Sequence, residues 1–345
     1  MAARKKKKKK YRMFWFFAKM QLVLLLAVIA GACWYYFGGY AEEVKDLKTQ
    51  AIELVRHSSK ETFKANQTSI VYASDESVIS TLKGGKDSYY LSITDMPSNV
   101  ECAIVSIEDK KFFRHNGIDY RALLRAVKAM IENGEATQGG STITMQLARN
   151  IFLSQEKTWQ RKVEEMYIAR ELEKKYTKDE ILEFYLNNIY FGNGYYGVEA
   201  AAKGYFNKSV SQLTLSEQAF IAAIPNNPSK YNPLTGFDKT LKRRDLILQQ
   251  MYEADYISYV DYYMAKGENI VLNQPEQEKE DNSVVTYVRH CATESLMKST
   301  GFSFRDNFSS KEDEESYDSL YDTYYTRCQQ MLLSGGYTVY TSFDM

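Results

Sequence analysis

Apolar residues follow several rhythms along this chain, and each rhythm predicts a different element. From Met13 to Phe37 they are nearly continuous, and Leu22 to Ala32 holds no charge. That length suits one membrane-spanning helix. Trp15 at one end and Trp34, Tyr35 and Tyr36 at the other would sit at the two interfaces, and Lys19 can snorkel. Residues 38–65 are charged and helix-forming, which predicts a stalk. Ile70 to Ala73 and Val78 to Leu82 are short β-prone runs around Ser74 to Ser77, which predicts a hairpin. From Val100 onward apolar residues return at helical spacing. Ile181, Leu182, Tyr185, Leu186 and Ile189, for example, share one helix face. Leu213-Thr214-Leu215-Ser216-Glu217 offers a capped start for a helix that Pro225 and Pro228 close. No series of strands suggests a barrel or sandwich, so the expected fold class is mainly α.

The helical rhythm is obscured between residues 276 and 325, which hold twelve acids and five bases with many tyrosines. This predicts a partly ordered acidic linker or insertion over 266–334. Tyr337 to Phe343 then alternate as a strand does, within a closing segment 335–345.

Charge adds orientation. The formal total is zero, yet residues 1–12 carry eight bases and no acid. The rest holds 36 bases against 44 acids, about −8 by count. A basic tail against an apolar run points to a membrane rather than to nucleic acid. It sets a cytoplasmic N-terminus, a single pass over 13–37 and an extracytoplasmic remainder. A signal peptide cleaved near Ala30-Gly31-Ala32, or a lipid-modified Cys33, are the alternatives. The four cysteines show no zinc spacing. Cys102 reads as a small core residue, and spacing leaves a Cys291–Cys328 pairing open.

Candidate chemistry concentrates in two stretches. Glu108-Asp109 ends an apolar helix and is followed by Phe112, His115 and the turn residue Gly117. Ile104, Glu108 and Phe112 share a face, so the Glu108 carboxylate is expected to lose hydration and to suit a general base. A solvated helix-end acid is the plainer alternative. Asp109 points about 100° away and is expected to hold backbone or His115. The second stretch, Gly139-Gly140-Ser141-Thr142, leads into a helix, an arrangement suited to phosphate oxygens. Gln146 and Arg149 share a face of that helix. Downstream, Lys157, Arg161 and Glu165 are spaced by four, which places two cations and an acid together, or else makes an ordinary exposed helix pair.

Three further patterns follow in order: Arg161-Lys162-x-x-Glu165-x-x-x-Ala169-x-x-Leu172-Glu173, then Lys178-x-x-Ile181-Leu182-Glu183-x-Tyr185-Leu186-Asn187 with Gly192, then Arg243-Arg244-x-x-Ile247-Leu248-x-x-Met251. Together the five motifs resemble the peptidoglycan glycosyltransferases (glycosyltransferase family 51), the polymerase module of class A penicillin-binding proteins. The resemblance covers roughly residues 66–265. Met145 departs from the usual glutamine and Arg149 from the usual lysine.

The resemblance implies a lysozyme-like, two-lobed glycosyltransferase domain that polymerises lipid II by inverting transfer, releasing polyprenyl diphosphate. It implies Glu108 as catalytic base and Glu165 as second essential acid. It assigns Arg149, Lys157, Arg161 and Lys162 to the donor diphosphate, with Ser141, Thr142 and Gln146 also binding substrate. Asp109, His115, Glu183 and Asn187 would support the site, while Arg243 and Arg244 are expected to stabilise the fold through ion pairs. The implied partners are lipid II, the lipid-linked glycan strand, the membrane, cell-wall synthesis or division proteins, and moenomycin-type inhibitors. No nucleic acid is implied. The resemblance fixes no cofactor and leaves a divalent cation (Mg²⁺ or Mn²⁺) open as an aid to Glu165. A lysozyme-like glycan hydrolase and an inactive cell-wall scaffold are the alternatives. Ser295 and Lys298 fit Ser-x-x-Lys, but no Ser-x-Asn or Lys-Thr-Gly follows. Transpeptidase activity is therefore not expected. The last strand resembles the lead-in to a transpeptidase region, as in a truncated bifunctional enzyme.

Overall fold

A computed structural model describes residues 20–21, 38–64, 67–82, 87–133, 139–153, 156, 158–275 and 283–343. Apart from Met20 and Gln21, the expected membrane span lies outside the described residues. Among the described residues no helix is long and apolar enough to cross a membrane.

The fold is mainly α, as the periodicity predicts. Helix α1 (Tyr40–His57) packs along α5 (Trp159–Lys175). Helix α2 (Ser98–Glu108) is apolar on the face that meets α8 (Leu215–Ala222) and α9 (Phe237–Glu253). Helix α3 (Tyr120–Asn133) precedes α4 (Ile143–Phe152), and α4 rests on both α5 and α6 (Lys178–Asn188). Helices α7 (Val198–Phe206) and α10 (Tyr259–Gly267) complete the body. One continuous core joins all of these elements except α3, with Ile104, Phe112, Leu147, Leu172, Phe184 and Phe220 all at most 1% exposed.

The helix starts follow local chemistry. Thr142, Thr158, Thr177 and Thr214 cap α4, α5, α6 and α8 with their hydroxyls. The predicted box of Thr214 with Glu217 is present, each side chain bonding the other's backbone N–H.

The predicted hairpin forms β1 (Ser69–Tyr72) and β2 (Val78–Leu82), antiparallel with an irregularity between Val71 and Tyr72. The closing strand β5 (Thr338–Tyr340) joins β1 in parallel, pairing Val71 with Val339. A second, two-stranded sheet pairs β3 (Asp87–Ser88) with β4 (Tyr195–Tyr196) in parallel.

The acidic region departs from expectation. Its described part is not a loose linker but two helices, α11 (Ser283–Ser299) and α12 (Lys311–Ser334), packed on each other and against β1 and β2. Tyr317, Tyr321, Tyr324, Tyr325 and Cys328 recur at helical spacing and close over Met297 and Phe302. The acids remain outside, and Glu312, Asp313 and Glu314 occupy the first turn of α12, where the helix dipole favours them. Mean composition concealed this period. Cys291 is exposed, Cys328 is buried, and both are free thiols.

Candidate active site

Glu108 is the last residue of α2, and its side chain is only 7% exposed. Each carboxylate oxygen meets one donor. Arg243 Nη2, from α9, lies 3.1 Å from Oε1, and Gln146 Nε2, from α4, lies 3.1 Å from Oε2. Gln146 in turn accepts from the Tyr185 hydroxyl of α6 at 3.1 Å. Tyr185 is fully buried. Burial, and then the charge of Glu108, hold its pKa well above the ordinary phenol value, so it remains a donor.

Asp109 leaves the helix at φ −155° and ψ 75°, so its backbone and not the helix angle sets its direction. Its carboxylate accepts from His115 Nε2 at 2.9 Å and from the Ile143 backbone N–H at 3.1 Å. This changes the picture of the glycine-hydroxyl loop. The positive end of α4, expected to face a phosphate, already has the Asp109 carboxylate at its first residue. Thr142 is committed as well: its hydroxyl donates to Gly117 O at 2.6 Å and accepts from Met145 N at 3.1 Å. At 2% exposure it acts as a helix cap rather than an open ligand. Gly117 has φ +87°, and a Cβ there would meet the Ala169 carbonyl oxygen at 2.7 Å. Only glycine fits both the left-handed turn and that close approach to α5.

Ser141 remains at the surface of the site and accepts from Lys162 Nζ at 2.7 Å. The same ammonium lies 2.8 Å from Glu165 Oε2. Arg161 Nε is 3.2 Å from Glu165 Oε1, a contact at ion-pair distance whose angle falls short of a hydrogen bond. The Glu165 side chain is 1% exposed. A buried carboxylate needs such partners, since removing one from a buried pair typically costs about 3–5 kcal/mol. Both oxygens already face cations, which balance the buried charge. Among the described residues no group of three His, Cys, Asp or Glu side chains is arranged to hold a metal ion.

A cleft of about 890 Å³ connects the two acids through their partners. Gln146, Arg149, Arg161, Asn188, Tyr190 and Tyr196 are among the residues that line it. Lys157 lies outside the described residues. Glu183 and Asn187 do not reach this cleft's lining. Glu183 accepts from Tyr90 OH at 2.6 Å and Ile93 N at 2.8 Å, while Asn187 bonds Leu91 N and O, both at 2.8 Å. Together they clamp the segment around residues 90–93 onto α6. Arg244 is buried among Asp245, Ser216 and two backbone carbonyls, consistent with a structural role.

Two contributors were not legible as site residues. Spacing places Tyr185 on the apolar face of α6, and Arg243 reads as a residue that stabilises the fold through ion pairs. The available signal was their place inside two of the ordered motifs.

The family model described as Transglycosylase matches residues 75–252. Penicillin-binding protein 4 of Bacillus subtilis (strain 168) is 36% identical over 305 residues, covering 88% of this chain and 48% of that protein. Penicillin-binding protein 1F of the same organism is 48% identical over 187 residues, covering 54% of this chain and 26% of that protein. Penicillin-binding protein 1A of Aquifex aeolicus (strain VF5) is 42% identical over 222 residues, covering 64% and 30%. The chain thus spans about half or less of the length of these curated relatives. Among solved structures, Penicillin-Binding Protein 1A from Haemophilus influenzae aligns over 68% of this chain and 25% of that one, at 25% identity and a TM-score of 0.36. That overlap is too low to argue fold from.

Proposed function

The chain belongs to the transglycosylase family, and from that premise we propose that it polymerises lipid II into glycan strands. The observation that carries the reading is a cleft lined by partners of both acids. Gln146 on its wall bonds the Glu108 carboxylate, and Arg161 on its wall lies beside Glu165, which Lys162 also meets.

In this reading the growing strand, linked through diphosphate to its polyprenyl carrier, is the donor. Lipid II is the acceptor. Its sugar hydroxyl gives its proton to Glu108 as the oxygen attacks the anomeric carbon. The bond from that carbon to the diphosphate oxygen breaks, and the electron pair leaves with the diphosphate. Arg149, Arg161 and Lys162 stabilise the charge that develops there, and Lys157 would join them. Direct displacement inverts the anomeric centre. Glu165 keeps the cations aligned, and no step requires a metal. Moenomycin-type inhibitors would compete at this cation cluster.

The membrane also fits. On α3, Leu124 is 69% exposed, Met130 57% and Ile131 78%, with Val127 beside them. Exposed apolar faces of this kind seek a partner, and a bilayer carrying lipid substrates would supply one. Residues 13–37 would anchor the chain, with the two-lobed catalytic domain outside the cell. Tethering raises the effective concentration of substrates confined to the same surface. Ser295 and Lys298 are both exposed on α11, a setting unlike the enclosed nucleophile and base of an acylase.

The test is polymerisation of purified lipid II. Long glycan supports the proposal. Small saccharide fragments would favour the hydrolase alternative, and the absence of turnover would favour a scaffold.

A further inference from the structure

We propose that Arg243 and Tyr185 are positioning residues that set the plane of the Glu108 carboxylate before the acceptor arrives. The inference rests on the transfer reading above. A carboxylate rotates freely unless both oxygens are held. Here Arg243 occupies one lone-pair site on Oε1 and Gln146 one on Oε2, each at 3.1 Å. A carboxylate offers about four such sites, so lone pairs remain for the incoming hydroxyl while the plane is fixed.

Each holder is itself held. The Arg243 guanidinium lies over the Tyr231 ring, 5.1 Å from its centre. The Gln146 amide has one compatible orientation. Reversed, it would turn its carbonyl oxygen toward the carboxylate and its NH₂ toward the Tyr185 hydroxyl. The acceptor-only carboxylate excludes that reversal, and Tyr185, whose buried phenol keeps its proton, holds the remaining orientation by donating to Gln146 Oε1 at 3.1 Å. Three helices, α4, α6 and α9, thus converge on one carboxylate that would otherwise swing at the end of α2.

Two effects oppose each other. The donors stabilise the anion, which weakens it as a base. They also hold it in a reactive geometry, which raises the fraction of productive encounters. Orientation governs the fraction of encounters that can react, whereas each oxygen, with one donor, keeps a lone pair to take the proton. Orientation therefore wins, and loosening the carboxylate slows the reaction.

The experiment measures kcat and KM for lipid II, together with affinity for a moenomycin-type inhibitor, in full-length chains. Tyr185→Phe removes one hydroxyl and keeps the packing. It should lower kcat about tenfold with KM and inhibitor affinity within about twofold. Arg243→Ala should lower kcat by about a hundredfold or more, and Arg243→Lys should recover part of that loss. Inhibitor affinity close to the unmodified chain's verifies folding in each variant. Unchanged or faster turnover in Tyr185→Phe overturns the proposal. So does an Arg243→Ala defect confined to KM, which would make Arg243 a substrate contact. If the unmodified chain forms no polymer, the transfer reading itself fails, a separate result.

Discussion

Arg243 and Glu108 stand 135 positions apart in the chain, yet the guanidinium Nη2 lies 3.1 Å from the carboxylate Oε1. The contact joins the last motif to the first. A charge-assisted bond at a site this enclosed is worth roughly twice a neutral one. Through it α9, which packs against α2 in the core, also takes part in the site.

Glu108→Gln keeps the shape of the side chain and removes its basicity. Polymerisation should fall by at least about a hundredfold, in line with the usual contribution of general-base catalysis. Inhibitor affinity should change little. Near-normal turnover measured with purified lipid II would remove Glu108 from its role as base.

Arg161→Ala removes one of the two cations beside Glu165. Donor-side affinity should weaken by about 1.5–3 kcal/mol, the range for bonds to charged groups. Lys162→Ala should act similarly and should also release Ser141. Titration with a polyprenyl diphosphate checks both, and an analogue without diphosphate should show no comparable loss.

Leu124→Glu combined with Ile131→Glu places charge on the exposed face of α3. Each side chain forgoes about 1.5–3 kcal/mol of apolar burial if that face enters a bilayer. Turnover on lipid II in vesicles should drop at least tenfold, while turnover in detergent micelles and the melting temperature stay nearly unchanged. An equal loss in both settings would assign the face to something other than the bilayer.

Gly117→Ala forces a side chain into a left-handed turn and against the backbone of Ala169. The clash should cost about 1–3 kcal/mol. It should also disturb the Thr142 hydroxyl bond to Gly117. Denaturant unfolding should show a lower midpoint.

Glu101 supplies a pH dependence. Burial, reinforced by the charge of Asp179, raises its pKa from 4.5 to about 7. The fold therefore favours the protonated acid. Its stabilising contribution is complete below about pH 4.5 and is lost as pH rises through 7. Glu101→Gln should raise the melting temperature at pH 8 and leave it unchanged at pH 4. An equal shift at both values would contradict the assignment.

The sequence alone determined the local parts of this protein. Helical spacing around Ile181 to Ile189, the Thr214 cap and the β-prone runs near Val71 and Val78 depend on residues a few positions apart. Their periods and hydrogen bonds are visible in one dimension. The ordered motifs also marked Glu108, Glu165, Arg161 and Lys162 as belonging together. Tertiary structure alone decided which groups became partners. Asp109 occupies the helix end that Gly139 to Thr142 had offered to phosphate, and Thr142 turns inward to Gly117. Arg243 meets Glu108, and Tyr185, buried on the apolar face of α6, also reaches Gln146 with its hydroxyl. The tyrosines of α12 pack into a core although the acids around them suggested a solvated linker. In each case the deciding quantity is a distance between residues remote in sequence, set by how helices pack. Composition and periodicity carry no information about that distance.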